Sequence, residues 1–311
     1  MLQVLRISVV ACASLLLTGC EEWADWGDGS RYKEDFSFTY PLRPQGSISV
    51  ESLNGSVEVM GWDQDRVEIT GSKHASSESA LKALRIDIVN TPDSVRIRTI
   101  PPSGHRGGMG ARYVLRVPRK AQIERIQSSN GRIQIDDIES AARLKTSNGS
   151  VRVNRTRGNI EVETSNASVE LVSHDGSAVV TTSNGTIKAD QVRGYFEAHT
   201  SNSSINARVT DPEPGKPLKL ETSNGSITVA FDSLNNNEIR AATSNSSITL
   251  KLPATLNAQL KARTSNSSIS TDFDVNVRGS ISKNALDGTI GSGGPVIDLA
   301  TSNGTIRVQR L

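Results

Sequence analysis

Cysteine and aromatic residues are scarce in this chain of 311 residues. The two cysteines, Cys12 and Cys20, both precede residue 21, so no disulfide can staple the rest of the chain. Aromatic residues make up 4% of the sequence, which leaves few stacking partners for nucleic-acid bases. The four histidines follow no metal-ligand spacing, so no metal or cofactor is predicted. Stability must come from packed secondary structure, and nucleic acid is not an expected partner.

A short phrase, Thr-Ser-Asn-(Gly/Ser)-(Ser/Thr)-(Ile/Val) or a close variant, recurs along the chain. Asn54 belongs to an early copy, and Asp287 replaces the asparagine in one late copy. The other asparagines are Asn130, Asn148, Asn166, Asn184, Asn202, Asn224, Asn245, Asn266 and Asn303. Successive copies are 18 residues apart four times and then 22, 21, 21, 21 and 16 apart. A unit of this size cannot bury its own apolar face, so the copies are expected to stack.

The residues around each asparagine predict the fold class. A β-branched aliphatic residue follows the asparagine by three positions, and apolar residues alternate with polar ones on both sides. No unit has room for a helix beside two strands. The pattern predicts an all-β protein, a single-stranded parallel β-helix of about eleven coils of 16–22 residues with an N-terminal capping hairpin. In this solenoid Ile187 and Ile205 would be vertical neighbours that point inward.

The turn at the asparagine row supports two interpretations. The following residue is Gly, Ser or Ala in different copies, so we expect the asparagine itself to take the left-handed backbone conformation. Stacked asparagines would then form a hydrogen-bonded structural ladder, which we favour, or a polar strip that binds a ligand. Thr228, Thr249 and Ser270 occupy equivalent outward positions and are a second candidate contact strip.

Charged residues at equivalent positions alternate in sign, as in Arg152 and Glu170 or Arg143 and Glu161. Opposite charges on neighbouring strands are mildly stabilising, which agrees with stacking in register. Residues 112–158 contain eleven Lys or Arg and four Asp or Glu. This segment predicts either a surface for anionic partners or a set of solvated and ion-paired side chains, and we favour the second interpretation.

The N-terminus predicts export and lipid anchoring. A weakly basic start, an apolar stretch and Leu17-Thr-Gly-Cys20 resemble a bacterial lipoprotein signal peptide, which leaves Cys20 as the acylated, palmitate-bearing first residue. Glu21 is not the aspartate that retains many lipoproteins in the inner membrane, so the outer membrane is favoured. The predicted divisions are a signal peptide at 1–19, a lipidated tether at 20–45, a first coil with a capping insertion at 46–120 and a regular β-helix at 121–311.

Three stretches together carry a family resemblance. These are residues 55–69, Gly-Ser-Val-Glu-Val-Met-Gly-Trp-Asp-Gln-Asp-Arg-Val-Glu-Ile, residues 113–118, Tyr-Val-Leu-Arg-Val-Pro, and the Ser-Asn-Gly-x-Ile repeats. They resemble the bacterial putative-adhesin β-helix family, a domain of unknown function in exported envelope proteins. The resemblance covers nearly all of residues 46–311. It implies a right-handed parallel β-helix and supplies no catalytic residues.

Three classes of function remain. The favoured one is a non-catalytic envelope lipoprotein that presents its surface for adhesion, with a surface glycan or an envelope protein as partner. An assembly scaffold is the first alternative, because no capping helix follows residue 307 and the last strand would offer an open edge to a second copy. A polysaccharide-active enzyme is the second. It is disfavoured because Asp136 and Asp137 should point to opposite sides, and because His174 and His199 should face outward.

Overall fold

The protein is described by a computed structural model that covers residues 32–104, 108–277 and 282–311. Over these residues it contains 27 strands and one short helix. The N-terminal elements are β1 (Tyr32–Pro41), β2 (Ser47–Glu51), β3 (Val57–Trp62), β4 (Arg66–Ala75), α1 (Glu78–Ala83), β5 (Arg85–Thr91), β6 (Ser94–Ile100), β7 (Met109–Pro118), β8 (Gln122–Ser128) and β9 (Ile133–Asp136). Cys20 and the predicted signal peptide lie outside the described residues.

The middle of the chain repeats a two-strand unit. Its strands are β10 (Ala142–Thr146), β11 (Val151–Arg157), β12 (Ile160–Glu163), β13 (Val169–Asp175), β14 (Ala178–Thr181), β15 (Ile187–Arg193), β16 (Phe196–His199), β17 (Ile205–Asp211), β18 (Leu218–Glu221) and β19 (Ile227–Phe231). The remaining strands are β20 (Ile239–Ala242), β21 (Ile248–Leu252), β22 (Ala258–Thr264), β23 (Ile269–Thr271), β24 (Val275–Val277), β25 (Ala285–Ile290), β26 (Val296–Thr301) and β27 (Ile306–Arg310).

The strands form two long sheets that face each other across one core. Each coil of the solenoid gives one strand to a 14-stranded sheet, turns at its Thr-Ser-Asn phrase and gives the next strand to a 13-stranded sheet. Neighbouring coils pair in parallel, and Ile187 lies directly beside Ile205. Both isoleucines are fully buried. The predicted parallel β-helix, and the register of residues 18 apart, are therefore confirmed.

The corner opposite the asparagine row sets which residues point inward. Asp137, Arg155, Ser173 and Gln191, spaced 18 apart, have positive φ angles between 48° and 57°. No described asparagine of the repeat has a positive φ, so the predicted left-handed conformation at those asparagines is wrong. A left-handed residue interrupts the strand alternation, so the next side chain turns inward. His174, which follows Ser173, is for this reason only 1% exposed, and the prediction that it faces outward is wrong.

The N-terminal end is closed by antiparallel strands and α1. Strand β1 pairs with β4, β4 pairs with β7, and β3 lies between β7 and β9. Phe36 of β1 packs 5.5 Å from the fully buried ring of Tyr113. The helix buries Leu81 in a small cluster with Met109. Residues 32–41 are thus part of the sheet, and the prediction of a tether over 20–45 is wrong for them.

The C-terminal end contains a coil that is out of chain order. Strand β26 lies between β20 and β22, and β27 lies between β21 and β23. The coil formed by residues 296–310 is therefore sandwiched between two coils that precede it in sequence. The predicted open edge at the last strand is wrong, because β27 is paired on both sides. The predicted repeat copy at Asp287 is also wrong, since β25 runs antiparallel to β22 and β24.

Candidate binding surfaces

The predicted asparagine row runs along one exposed corner of the solenoid. Except at Asn54, whose Nδ2 atom donates to the Met109 carbonyl oxygen, the Nδ2 atom of each asparagine donates to the Oδ1 atom of the asparagine in the adjacent coil, over distances of 2.5–2.8 Å. The hydrogen bonds join, in spatial order, Asn54, Asn130, Asn148, Asn166, Asn184, Asn202, Asn224, Asn245, Asn303 and Asn266. The amides are thereby committed to one another, which favours a structural role over ligand contact.

The hydroxyl-bearing residue two positions before each asparagine was missed by the sequence analysis. It is a serine before Asn54 and Asn130 and a threonine in the other eight copies. Thr222 illustrates its role: the buried hydroxyl donates to the carbonyl oxygen of Ser203 at 3.0 Å and accepts from the Gly225 amide at 3.3 Å. Thr243 bonds in the same way to the carbonyl oxygen of Gly225 at 2.9 Å. A buried hydroxyl needs such partners, and its fixed place in the repeated phrase was the available signal.

The candidate strip of Thr228, Thr249 and Ser270 is interrupted. Thr228 and Thr249 are direct neighbours, but Thr249 pairs next with Arg307, and Ser270 lies on the far side of that arginine. The prediction that all three lie together in register is wrong, because it assumed that coils stack in chain order. A strip of hydroxyls broken by a cation is a poor repetitive contact surface.

The basic segment at 112–158 is largely neutralised by acids from neighbouring coils. Eight of its eleven cations lie within 4 Å of a carboxylate. Examples are Arg143 with Glu161 at 3.3 Å and Lys145 with Glu163 at 2.7 Å. The structure thus supports the interpretation of ion-paired rungs over that of an anion-binding surface.

Asp136 and Asp137 are held by the same cation. The Arg155 guanidinium lies 2.8 Å from Asp137 and 3.9 Å from Asp136, so the prediction that the two carboxylates point to opposite sides is wrong. Hydrogen bonding from Arg155 lowers the pKa of Asp137. A general acid for glycosidic cleavage needs a raised pKa, so this environment favours a permanent anion.

The remaining perturbed groups are buried or paired within the solenoid. Burial lowers the pKa of His174, whose Nδ1 atom lies 3.0 Å from the Thr156 hydroxyl. Burial raises the pKa of Tyr113 to about 12, and its hydroxyl lies 2.6 Å from that of Thr99. His199 is exposed as predicted and lies 3.9 Å from Glu221. These positions indicate packing roles for the buried groups.

A groove opens at the corner opposite the asparagine row, in the C-terminal third. Its volume is about 540 Å³, and it is lined by the loops 232–238, 253–257 and 291–295; we call it the corner groove. In the regular coils Phe196 follows Asn184 by 12 residues, whereas Leu218 follows Asn202 by 16. The additional residues of the longer coils therefore fall at this corner. The change in repeat length was the sequence signal for the groove, and the sequence analysis did not use it.

The sandwiched coil explains where the groove lies. The connection at 253–257 joins β21 to β22 and must pass over the position that β26 occupies. The connection at 291–295 then brings the chain into β26. Two loops that serve different coils thus leave a gap between them.

The described part of the chain contains neither a candidate metal site nor a candidate membrane-spanning helix. Nowhere in these residues do three or more His, Cys, Asp or Glu side chains gather closely enough to hold a metal ion. No helix within the described ranges has the length and apolar character needed to cross a bilayer.

Comparison with known proteins identifies the family. Solved structures that resemble the chain include a putative cell adhesion protein from Clostridium sporogenes, 11% identical, covering 89% of this chain and 100% of that one with a TM-score of 0.25. A putative adhesin from Bacteroides fragilis is 10% identical over 89% and 97% of the two chains, with a TM-score of 0.31.

A putative lipid binding protein from Parabacteroides distasonis is 10% identical over 89% and 96% of the two chains, with a TM-score of 0.34. No curated protein matches the sequence. The family model described as Toastrack DUF4097 matches residues 30–309, which is most of the chain. The resemblance found in the sequence is confirmed, and the chain belongs to the Toastrack family.

Proposed function

We propose that this protein is a lipid-anchored envelope lipoprotein that presents its solenoid for adhesion and catalyses no reaction. The observation that carries the proposal is the pairing of outward carboxylates with cations one coil away, as in Asp175 with Arg157 at 3.2 Å. Such pairing gives a rigid, neutral and repetitive surface. Cleavage of polysaccharides needs an acid and a base that are free to exchange protons.

The enzyme alternative is weakened by the same contacts. Asp136 is the most promising carboxylate, since its side chain is only 13% exposed. It accepts hydrogen bonds from the Asn154 and Gln134 side chains, both at 2.8 Å, and lies near Arg155. Both of its carboxylate oxygens are thus engaged by neighbouring side chains. The assembly alternative loses the edge on which it was based, because β27 is paired on both sides. The 13-stranded sheet ends instead at β23, a strand of only three residues.

Lipid anchoring is tested in cells with an alkyne analogue of palmitate. We expect the label on the wild-type protein and recovery in the outer-membrane fraction. The Cys20→Ala variant should lose the label and leave the membrane, and Cys12→Ala is the matched control that should keep both. Labelling of Cys20→Ala, or recovery of the wild type in the inner membrane, would contradict this part of the proposal.

Adhesion is separated from catalysis with the purified Cys20→Ala chain. It is applied to a glycan array and, in parallel, to a panel of polysaccharides assayed for new reducing ends and unsaturated products. Saturable binding without products is expected. Turnover that disappears on Asp136→Asn would establish an enzyme instead.

A further inference from the structure

We propose that the corner groove is a binding site for a neutral oligosaccharide. This inference rests on the proposed adhesive function and assigns it a place and a ligand class. The groove is the feature that most distinguishes the long coils from the regular ones, whose equivalent corner is closed by tight turns. Its volume of about 540 Å³ lies within the range of about 300–1,000 Å³ common to ligand sites.

The walls of the groove are fixed by buried and cross-loop hydrogen bonds. Asn237 is fully buried, and its Nδ2 atom donates to the carbonyl oxygens of Glu213 at 2.6 Å and Lys216 at 2.9 Å. Its Oδ1 atom accepts from the Asn235 amide at 2.8 Å. A preformed site loses less conformational entropy on binding than loose loops would.

One hydrogen bond joins the two loops that cross at the sandwiched coil. The Oδ1 atom of Asn257 accepts from the backbone amide of Ser292 at 2.9 Å. A side chain at Gly291, whose φ is +59°, would collide with that same Asn257 oxygen. The chain therefore keeps a glycine where the loops meet, and the groove retains its shape.

The polar lining matches a ligand that carries hydroxyl groups. Asn236, Thr255 and Ser292 are exposed and offer amide and hydroxyl groups, which both donate and accept hydrogen bonds. A sugar hydroxyl also donates and accepts hydrogen bonds, so it can pair with either kind of group. The only charged side chain of the lining is Asp232, and both of its oxygens lie 3.1 Å from the Nε atom of Arg208.

That pairing leaves the groove without a free charge of either sign, which favours a neutral glycan over an acidic one. Pro253, Leu256 and Pro295 are partly exposed and give small apolar surfaces between the polar groups. Such surfaces suit the C–H faces of a sugar ring. An acyl chain would need a continuous apolar channel instead, so lipid is not the expected occupant.

The site continues beyond the first groove, which favours a chain of sugars over a single unit. A second depression of about 290 Å³ shares Thr255, Leu256 and Asn257 with it. Phe273 lines this second part together with Asp274 and Arg310. The Arg310 guanidinium lies 5.3 Å from the Phe273 ring and 3.8 Å from the Asp274 carboxylate, so these two charges are also paired. A linear oligosaccharide could lie across the 254–257 loop and contact both depressions.

The test uses the full-length lipoprotein in detergent on an array of neutral and acidic glycans, with affinities measured by titration of the best ligand. Two variants block the groove, Thr255→Trp and Ser292→Trp, because both residues are exposed and neither side chain holds a loop in place. Thr181→Trp, at an exposed position on the regular coils, is the matched control. Thermal unfolding of all variants checks that the fold is intact.

We expect a neutral oligosaccharide to bind the wild type and the Thr181→Trp control equally. Both groove variants should bind at least about tenfold more weakly, since a bulky side chain would occupy the space of the ligand. Binding that is unaffected by the groove variants, or limited to acidic glycans, would overturn the groove but leave adhesion standing. Absence of all glycan binding would overturn the groove, and the adhesive function would also fail if whole cells showed no attachment that depends on the protein.

Discussion

The regular coils around residues 130–202 and the longer coils that follow them share one corner and differ at the other. The asparagine and threonine turn is kept through both regions. The opposite corner is a tight turn in the first region, where Gly158, Gly176 and Gly194 have positive φ, and a set of loops in the second. The shared corner stabilises the stack, and the varied corner is free to carry recognition.

The two regions also differ in how sequence order relates to spatial order. In the first region consecutive repeats are consecutive coils. In the second, residues 296–310 lie between two coils that precede them in sequence. Asp298 is therefore placed beside Arg240 and Lys261. In chain order those two cations would have been adjacent. Spatial order thus places an anion between these two cations, whereas Lys219 and Arg240, one coil earlier, remain neighbours of like charge.

The largest difference in stability is expected between a buried residue of the regular coils and a groove residue of the longer coils. Ile187→Ala should destabilise the protein by about 2–5 kcal/mol, because the isoleucine is fully buried in a stack of neighbours. Leu256→Ala, in a partly exposed groove loop, should cost about 1 kcal/mol. Urea unfolding with hydrogen exchange measures both changes. Equal effects would show that the groove loops are as firmly packed as the regular coils.

The glycines that follow the asparagines test whether residues 296–310 lie between the two earlier coils. A Cβ on Gly304 would overlap the carbonyl oxygen of Ser246, just as one on Gly185 would overlap that of Ala167. Each glycine-to-alanine change should therefore destabilise by about 1–3 kcal/mol.

Ser246→Ala is the matched control for these glycines and should change stability by less than about 0.5 kcal/mol. Thermal unfolding of all three variants gives the comparison. If Gly304→Ala were as mild as this control, residue 304 would not lie against residue 246, and the order of the C-terminal coils would need revision.

A pH dependence is expected from the regular coils alone. Because burial lowers the pKa of His174, protonation favours the unfolded chain. Its contribution to stability is complete above the unfolded pKa of about 6.5 and is lost as the pH falls through the lowered folded pKa.

The double variant Thr156→Val/His174→Val removes both members of the buried pair. Its urea midpoint should fall less than that of the wild type between neutral and mildly acidic pH. His199→Gln, at an exposed site, should leave the wild-type dependence unchanged. If the double variant kept the wild-type pH profile, the loss of stability in acid would come from carboxylates and not from His174.

The smallest effect is expected at the surface charges. Asp298→Lys would place a third cation between Arg240 and Lys261, and Glu161→Lys would do the same beside Arg143 in the regular coils. Each should destabilise by about 0.2–1 kcal/mol, and less at high ionic strength. Thermal unfolding at two salt concentrations measures this. If Asp298→Lys left the stability unchanged while Glu161→Lys lowered it, residue 298 would not lie between Arg240 and Lys261.

The regular coils could be predicted from sequence because their signal is local and periodic. The β-branched residue three positions after each asparagine fixes the inward face, and the constant spacing fixes the register. Which side chains point inward after the corner could not be predicted in the same way. A left-handed Ser173 resets the alternation, and a serine gives no sign of that conformation, so His174 was placed on the wrong face.

The C-terminal order was not predictable from spacing, because stacked units of similar length pair equally well in several orders. A weaker signal was present. The residue after the asparagine alternates between Gly and Ser in space, through Ser203, Gly225, Ser246, Gly304 and Ser267, but not along the chain. Gly304 lies between Ser246 and Ser267 and keeps these two larger residues apart. The groove depends on this order, and the sequence analysis missed both together.

The sandwiched coil has a consequence for how the molecule is made. A solenoid whose coils stack in order of synthesis can add each coil as soon as that coil has been made. Here residues 258–271 cannot take their final position against the earlier coils until residues 296–310 have arrived to fill the space between them. The last part of this polypeptide therefore completes the stack, and a chain that ends before residue 296 would leave the strands within 258–271 without their parallel neighbours.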